Sequence, residues 1–292
     1  MTKKVSIIIT AYNHAAYIKK ALESILFQEF DGLIELVVAD DCSTDNTANL
    51  IRDCLRDFRG DVKMLENTHN MGISKNYKRA FEACSGDYIF ILEGDDYWTD
   101  PKRIEKHVEF LESHRECVMT MNRFVWFHEQ IPKYIVEPWN RRESNYYINT
   151  QEMAEGNKLG NLSACVFRAE TVQRLNPLIY DMEIADWMLG MAVSEQGLIA
   201  ILKDVMSVYR IHGQGQWAGL TTVSQHKALF RIIDEYNRFF EGRYSQQFEK
   251  LKHSLKPSRN SGLRIFKSYL PPFILSITKG LIPPALKKNI TN

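Results

Sequence analysis

Four times within the first hundred residues a short apolar run is followed by an amphipathic stretch, and that alternation constrains the fold more than any other feature. Val5 to Ile9 is uncharged and β-branched, the pattern of a strand covered on both faces. Tyr12 to Gln28 reads as a helix with Ala16, Ile18, Leu22, Ile25 and Leu26 on one side. Ile34 to Ala39 is the second strand, after which Ser43, Thr44 or Asp45 can cap a helix over 47–58. Val62 to Glu66 and Tyr88 to Leu92 are the third and fourth strands, with a helix between them from Gly72 through Cys84. The alternation predicts a doubly wound α/β fold, a mostly parallel central sheet flanked by helices, whose ligands bind beyond the carboxyl ends of the strands.

Polar clusters fall at those four ends: Thr10 to Asn13, Asp40 and Asp41, Asn70 to Asn76, and Glu93 to Asp96. The last puts Glu93, Asp95 and Asp96 directly after an apolar strand. Carboxylates this close repel one another and resist burial unless a cation sits among them, so a divalent metal site is the first expectation, against a plain acidic turn.

Beyond Pro101 a helix of about 14 residues leads to a strand over Val118 to Phe127. Residues 130–160 are polar, contain Pro132 and Pro138, and read as a loop-rich insert beside the site. Further strands are expected at 166–168 and 199–202, with a helix at 183–196 between them. The 37 basic and 36 acidic residues nearly cancel, which gives no case for nucleic acid. Five cysteines without Cys-x-x-Cys spacing argue against a disulfide framework or a zinc site and suit a cytoplasmic protein. The N-terminal apolar run is too short for a signal peptide, and no stretch approaches the length of a membrane span.

Taken in order, Val5 to Asn13, Asp40-Asp41-Cys42-Ser43-Thr44-Asp45, Asn70-Met71-Gly72 and Glu93-Gly94-Asp95-Asp96-Tyr97-Trp98 resemble the motifs of the family-2 glycosyltransferases of the GT-A fold. The resemblance covers residues 4 to about 217. It implies an inverting enzyme that moves one sugar from a nucleotide-diphosphate sugar, most often UDP-linked, with the help of Mn²⁺ or Mg²⁺. Asp95 matches the metal-binding position of the Asp-x-Asp motif, and Asp96 stands beside it. Glu93 replaces the usual Asp and would meet the metal directly, through water, or the ribose instead. Asp41 matches the base-binding position. Thr10, Ala11 and Tyr12 match the loop lining the base pocket, with Asn13 and Asn70 on the same rim. Lys75 falls where a cation for ribose or diphosphate is common, though a solvated helix lysine is the plainer reading.

The resemblance extends to the second half of the reaction. Asp186-Trp187 matches the acidic region at a helix start, making Asp186 the expected catalytic base that deprotonates the acceptor hydroxyl. The usual preceding acid is here Ala185, which leaves Glu183 and Asp181 as competitors. Tyr209-Arg210-Ile211-His212 resembles the Tyr-Arg-x-His element: His212 would complete the metal shell or contact phosphate, and Arg210 would serve phosphate or structure. Gln214-Gly215-Gln216-Trp217 lacks the Arg of processive synthases, which favours transfer of a single sugar. Asn161 to Ser163 and Trp139 are expected to face the acceptor.

These readings divide the chain into a catalytic domain over 1–217, with nucleotide-binding (1–100) and acceptor-binding (101–217) halves, and a helical basic extension over 218–292. Residues 226–253 read as one or two amphipathic helices. Residues 250–292 hold nine Lys or Arg and no acid. From Leu263 basic and large apolar residues interleave, which suits a segment lying at the inner face of the membrane beside a saccharide or lipid-linked saccharide acceptor, as in bacterial surface polysaccharide synthesis. The alternative is a tail packed on the protein itself or on a second subunit, as in a homo-oligomer. Two rival functions stay in view: a catalytically silent sugar-nucleotide-binding subunit of a membrane assembly, and a nucleotidyltransferase, against which the missing glycine-rich phosphate loop after the first strand argues.

Overall fold

The computed structural model describes residues 2–136, 143–182, 186–213 and 222–255. Its N-terminal half alternates as the sequence predicts: β1 (Lys4–Ala11), α1 (Ile18–Leu26), β2 (Leu33–Asp40), α2 (Thr47–Cys54), β3 (Asp61–Met64), α3 (Ile73–Ala83) and β4 (Tyr88–Glu93). β1 pairs in parallel with β2 on one side and β4 on the other, and β2 pairs in parallel with β3. The period-two alternation of a strand sends successive side chains to opposite faces. Val5, Ile7 and Ile9 therefore pack with Ile18, Leu22 and Ile25 of α1, while Ile8 joins the opposite core with Tyr77 and Phe81 of α3. Ile7, Ile8 and Ile9 are all fully buried, and each such side chain is worth about 2 kcal/mol of apolar transfer. This is why the run carries no charge, and its one polar side chain, Ser6, donates to the buried Glu35 carboxylate at 2.6 Å.

The second half departs from simple alternation. After β5 (Tyr97–Trp98) and α4 (Arg103–Ser113) come β6 (Cys117–His128), β7 (Lys133–Ile135), β8 (Tyr146–Ile148), α5 (Thr150–Ala154), β9 (Cys165–Arg168), α6 (Ala169–Gln173), α7 (Asp186–Ser194) and β10 (Leu198–Ile211). The main path of the sheet runs β3-β2-β1-β4-β9-β6-β10-β5, with β7 on β6 and β8 on β10. β9 lies antiparallel between β4 and β6, whereas β6 and β10 run parallel. The chain crosses from β3 back over β2 and β1 to reach β4, so the switch in winding direction falls between β1 and β4, the place where open α/β sheets bind their ligands.

Several boundaries differ from the sequence reading. Residues 12–17 are turns rather than the start of α1, because Asn13 adopts a left-handed backbone (φ 57°) and its Oδ1 accepts from the backbone N–H of Thr44 at 2.8 Å. The 130–160 region is not simply loop: it carries two three-residue strands, too short for periodicity to reveal, and α5, whose Asn149 and Glu152 form a reciprocal capping box. The expected 199–202 strand is the 14-residue β10, kept on β6 by register shifts near Val205. The amphipathic region forms two helices, α8 (Thr222–Phe239) and α9 (Ser245–Leu255), broken where Glu241 and Gly242 both take positive φ. All five cysteines are free. Among the described residues no helix is long and apolar enough to cross a membrane. Glu183, Ala185, Trp139, the 214–217 segment and the basic segment from Leu263 lie outside the described residues.

Candidate active site

The turn after β4 is built around three acids that point in different directions. A backbone hydrogen bond from Gly94 N–H to the Thr10 carbonyl (2.8 Å) ties it to β1, and one from Asp41 N–H to the Ala11 carbonyl (2.8 Å) ties the β2 end to the same rim. Glu93 is half-buried, and its Oε1 accepts from the Tyr77 hydroxyl at 3.1 Å. Burial, reinforced by the charges of Asp95 and Asp96, pushes its carboxyl well above the usual range.

Asp95 behaves oppositely. Burial works against its charge, but the hydrogen bond from His212 and the proximity of His14 overcome that and hold the carboxyl below its ordinary value. His212 Nε2 is 2.9 Å from Asp95 Oδ2, and His14 Nε2 is 3.8 Å from the same oxygen. His14, with burial as the main cause, titrates below the usual histidine range.

Asp96, grouped by sequence with the ligand-facing acids, turns inward and is 1% exposed. Its Oδ2 accepts from Asn161 Nδ2 (3.0 Å) and Ser163 Oγ (2.6 Å), and its Oδ1 from the backbone N–H of Arg210 (2.8 Å). Burial, then the Asp95 charge, raises its carboxyl to about 8. The expected crowd of three repelling carboxylates thus resolves into one acid held ionised, Asp95, beside two that favour their protons. Asn161 and Ser163 are correspondingly buried rather than exposed to an acceptor. Ser163 works at several points: its hydroxyl accepts from Glu93 N–H (3.0 Å), and its carbonyl from Trp98 Nε1 (2.9 Å) and from the buried Arg103 (3.1 Å). These contacts lock the acidic turn to α4 and β9.

The end of β10 closes the site. Arg210 Nε donates to the Asp95 carbonyl at 2.8 Å, and its guanidinium lies against the rings of Tyr17, Tyr97 and Phe127. Of its two expected roles, the structure displays the structural one. The Tyr17 ring is 4.6 Å from that of His212.

On the β1 and β2 side, Asp41 is buried and accepts from Asn67 Nδ2 (2.7 Å) and from the backbone N–H groups of Met71 (2.8 Å) and Gly72 (2.9 Å). It shapes the loop that brings Asn70 to the rim. Asn70 Oδ1 itself accepts from Gly72 N–H at 3.0 Å. Thr10 and Ala11 are buried, Tyr12 is 43% exposed at the rim, and Lys75 stands exposed in the first turn of α3.

Asp186 opens α7. Its Oδ2 accepts from Asn157 Nδ2 at 3.0 Å and its Oδ1 from its neighbour Trp187 N–H at 2.9 Å. Burial raises its carboxyl despite these donors. The charge of Asp186 acts on Glu93, and the charges of Glu93, Asp95, Asp96 and Asp186 all act on the hydroxyl of the partly buried Tyr209. Asp181, a competitor for the base role, instead lines a separate groove of about 620 Å³ with Arg231, Glu235 and Arg238 of α8. Sequence reasoning did not single out His14, Tyr17 or Asn157. His14 follows the β1 motif by one residue, the nearest thing to a signal.

A divalent ion suits the donor set. Asp95 Oδ2 and His212 Nε2 converge, and His212 Nδ1 is buried with no hydrogen-bond partner among the described residues. Among the described residues no three His, Cys, Asp or Glu side chains are gathered closely enough to hold an ion unaided. An ion bound with a nucleotide needs only one or two protein ligands, since phosphate oxygens and water fill the rest of its shell.

The model of the family "Glycosyl transferase family 2" matches residues 6–172. An uncharacterized protein of Mycobacterium bovis is 29% identical over 219 residues, 73% of this chain, which spans about 60% of that relative's length. Staphylococcus aureus TarS, named a poly(ribitol-phosphate) beta-N-acetylglucosaminyltransferase, is 30% identical over 117 residues, 40% of this chain and 20% of its own. The crystal structure of TarS 1-349 in complex with UDP-GlcNAc matches with a TM-score of 0.69 at 18% identity, covering 95% of this chain and 76% of that one. Mannosyltransferase PcManGT from Pyrobaculum calidifontis, in complex with GDP-Man and Mn²⁺, matches with a TM-score of 0.66 at 16% identity, covering 99% and 79%. These structural likenesses establish a shared fold.

Proposed function

The chain belongs to glycosyl transferase family 2, and on that premise we propose that it is an inverting, metal-dependent glycosyltransferase. It moves a single sugar from a UDP-sugar to a hydroxyl of a saccharide or lipid-linked saccharide in bacterial surface polysaccharide synthesis. The observation that carries this reading is the opposite treatment of two acids on one crevice: Asp95 is held ionised beside His212, whereas Asp186 is raised toward a working proton acceptor.

Asp95 and His212 would hold Mn²⁺ or Mg²⁺, and Glu93, two residues before Asp95, would join through water. Such an ion, when bound, offsets the negative charge that develops on the departing diphosphate. The protein's own groups do the rest. The β1 rim from Thr10 to Asn13 and the Asp41-shaped loop around Asn70 receive the nucleotide, with the exposed Tyr12 ring available to stack on the base. Lys75 stands free to meet phosphate or ribose. Asp186 takes the proton of the acceptor hydroxyl as that oxygen attacks the anomeric carbon opposite the leaving phosphate, which inverts the configuration. Asn157 fixes the Asp186 carboxylate. Asp96 and Arg210 hold the acidic turn in place.

The UDP preference draws support from TarS, and the metal from the PcManGT complex with Mn²⁺. The acceptor class draws on the activity for which TarS is named and on the acid-free basic segment of residues 250–292, which would keep the protein at the inner membrane face. Thermal stability with UDP, GDP, dTDP and CDP, each with and without Mn²⁺, tests the reading. A ligand at 100 times its dissociation constant adds about 2.7 kcal/mol to the folded state. A shift with UDP that requires Mn²⁺ is expected; no metal-dependent shift with any of the four nucleotides overturns it.

A further inference from the structure

The carboxyl ends of β6 and β10 carry two neutral hydrogen-bond donors that neither the nucleotide rim nor the acidic turn employs. We propose that Tyr209, with Trp126 beside it, recognises the sugar being transferred: the phenol and the indole N–H bond its hydroxyl or acyl oxygens and set which sugar nucleotide is accepted. This role rests on the proposed glycosyltransferase function and adds to it the residues that face the sugar rather than the nucleotide.

The strands place the pair. β6 and β10 run parallel, with Tyr209 opposite Trp126 and Arg210 opposite Phe127. Register partners share a face and successive residues alternate between faces. Arg210 and Phe127 therefore occupy one face, where the guanidinium lies over the Phe127 ring. Tyr209, Trp126 and Phe124 occupy the other, with the Tyr209 and Phe124 rings 6.2 Å apart. On one side of Tyr209, the Arg210 backbone N–H donates to Asp96 Oδ1 and its Nε to the Asp95 carbonyl, both at 2.8 Å. On the other, a Cβ on Gly160 would stand 3.7 Å from the Phe124 ring, and the Gly160 N–H donates to Asn157 Oδ1 at 3.4 Å. Asn157 is the residue that holds Asp186. Tyr209 thus stands between the turn that carries Asp95 and the loop that fixes Asp186. A sugar that leaves a diphosphate at the first for a hydroxyl deprotonated at the second lies between them.

The two polar groups are also spare. Trp126 is 4% exposed, and its Nε1 is buried with no hydrogen-bond partner among the described residues. A buried donor without an acceptor is costly, which points to an acceptor that arrives with a ligand. Tyr209 is half-buried, and burial, reinforced by the charges of Asp96, Glu93, Asp95 and Asp186, raises its phenol well above the ordinary value. It stays a neutral O–H that both donates and accepts. Neutral donors read sugar oxygens without competing for the ion or for the proton that Asp186 takes.

Calorimetric titration of UDP, UDP-glucose, UDP-galactose and UDP-GlcNAc into the full chain with Mn²⁺ present, for wild type, Tyr209→Phe and Trp126→Phe, tests the assignment. Tyr209→Phe removes one oxygen and keeps the ring against Phe124, so its Tm should stay near that of wild type. Its affinity for UDP should lie within about twofold of wild type, whereas its affinity for the sugar nucleotide that wild type binds best should fall about fivefold to tenfold, the loss of one hydrogen bond. Trp126→Phe should show the same selective loss. Unchanged affinity of both variants for all three sugar nucleotides, or a loss for UDP as large as that for the sugar nucleotides, overturns the assignment. A selective loss in one variant alone overturns the part of the other residue. Wild-type protein that binds none of the four nucleotides overturns the glycosyltransferase reading beneath it.

Discussion

Two acids, one in each half of the molecule, are treated in opposite ways. At the end of β4, Asp95 keeps its charge because imidazoles face it; at the start of α7, Asp186 meets only amide donors and burial raises it. Both are partly enclosed, so enclosure alone does not decide the outcome. What faces the carboxylate does. A group that must bind cationic charge is given partners that favour its ionised form, and a group that must accept a proton is left nearer to neutral.

Exchanging the acids is the strongest way to break this contrast. Asp186→Asn should lower kcat by about 10³-fold while Mn²⁺-dependent nucleotide binding persists, since a positioned base contributes on the order of 10² to 10⁴. Steady-state kinetics beside a binding titration check it.

Asp96 belongs to neither class, and its removal should show as stability. Asp96→Ala strands the side chains of Asn161 and Ser163 and the Arg210 N–H, and should cost about 3 kcal/mol in denaturant unfolding. Asp96→Asn should cost less. Its carboxyl at about 8 lies above the unfolded value, so the folded state binds the extra proton. Stability from this group is therefore full at low pH and falls as pH rises toward 8, a slope that Asp96→Asn should flatten.

A smaller effect sharpens the base. Asn157→Ala removes the donor on Asp186 Oδ2, and should reduce kcat about tenfold and move the acidic limb of the pH–rate profile upward, because the lost hydrogen bond favoured the ionised form. The smallest change lies on the nucleotide side. Cys42 holds a left-handed backbone (φ 63°) in the loop after β2, and Cys42→Gly should raise stability by about 1 kcal/mol, seen as a higher Tm.

The same two halves differ in how much of them could be read from sequence. β1, β2 and β4 are largely buried and appear as apolar runs, whereas the edge strand β3 is half-exposed, and the polar residues at the strand ends mark the rim. In the second half β9 runs antiparallel between β4 and β6, and β7 and β8 hold only three residues each, too few for a period to show. Pairing of Asp95 with His212, 117 residues apart, was accessible through the Tyr-Arg-x-His resemblance. The roles of Asp96, Ser163 and Asn161 were not, because adjacent residues in a tight turn point different ways and sequence does not record which. His14 lacked a motif altogether; only the turn set by Asn13 brings its ring to Asp95.

The division of labour between Asp95 and Asp186 is tested most directly by calorimetric titration of UDP into wild type, Asp95→Asn and Asp186→Asn, with Mn²⁺ present. At least a tenfold loss of affinity is expected for Asp95→Asn and a value within about twofold of wild type for Asp186→Asn, although the latter scarcely turns over. Equal loss of affinity in both variants, or UDP binding by Asp95→Asn as tight as by wild type, would contradict it.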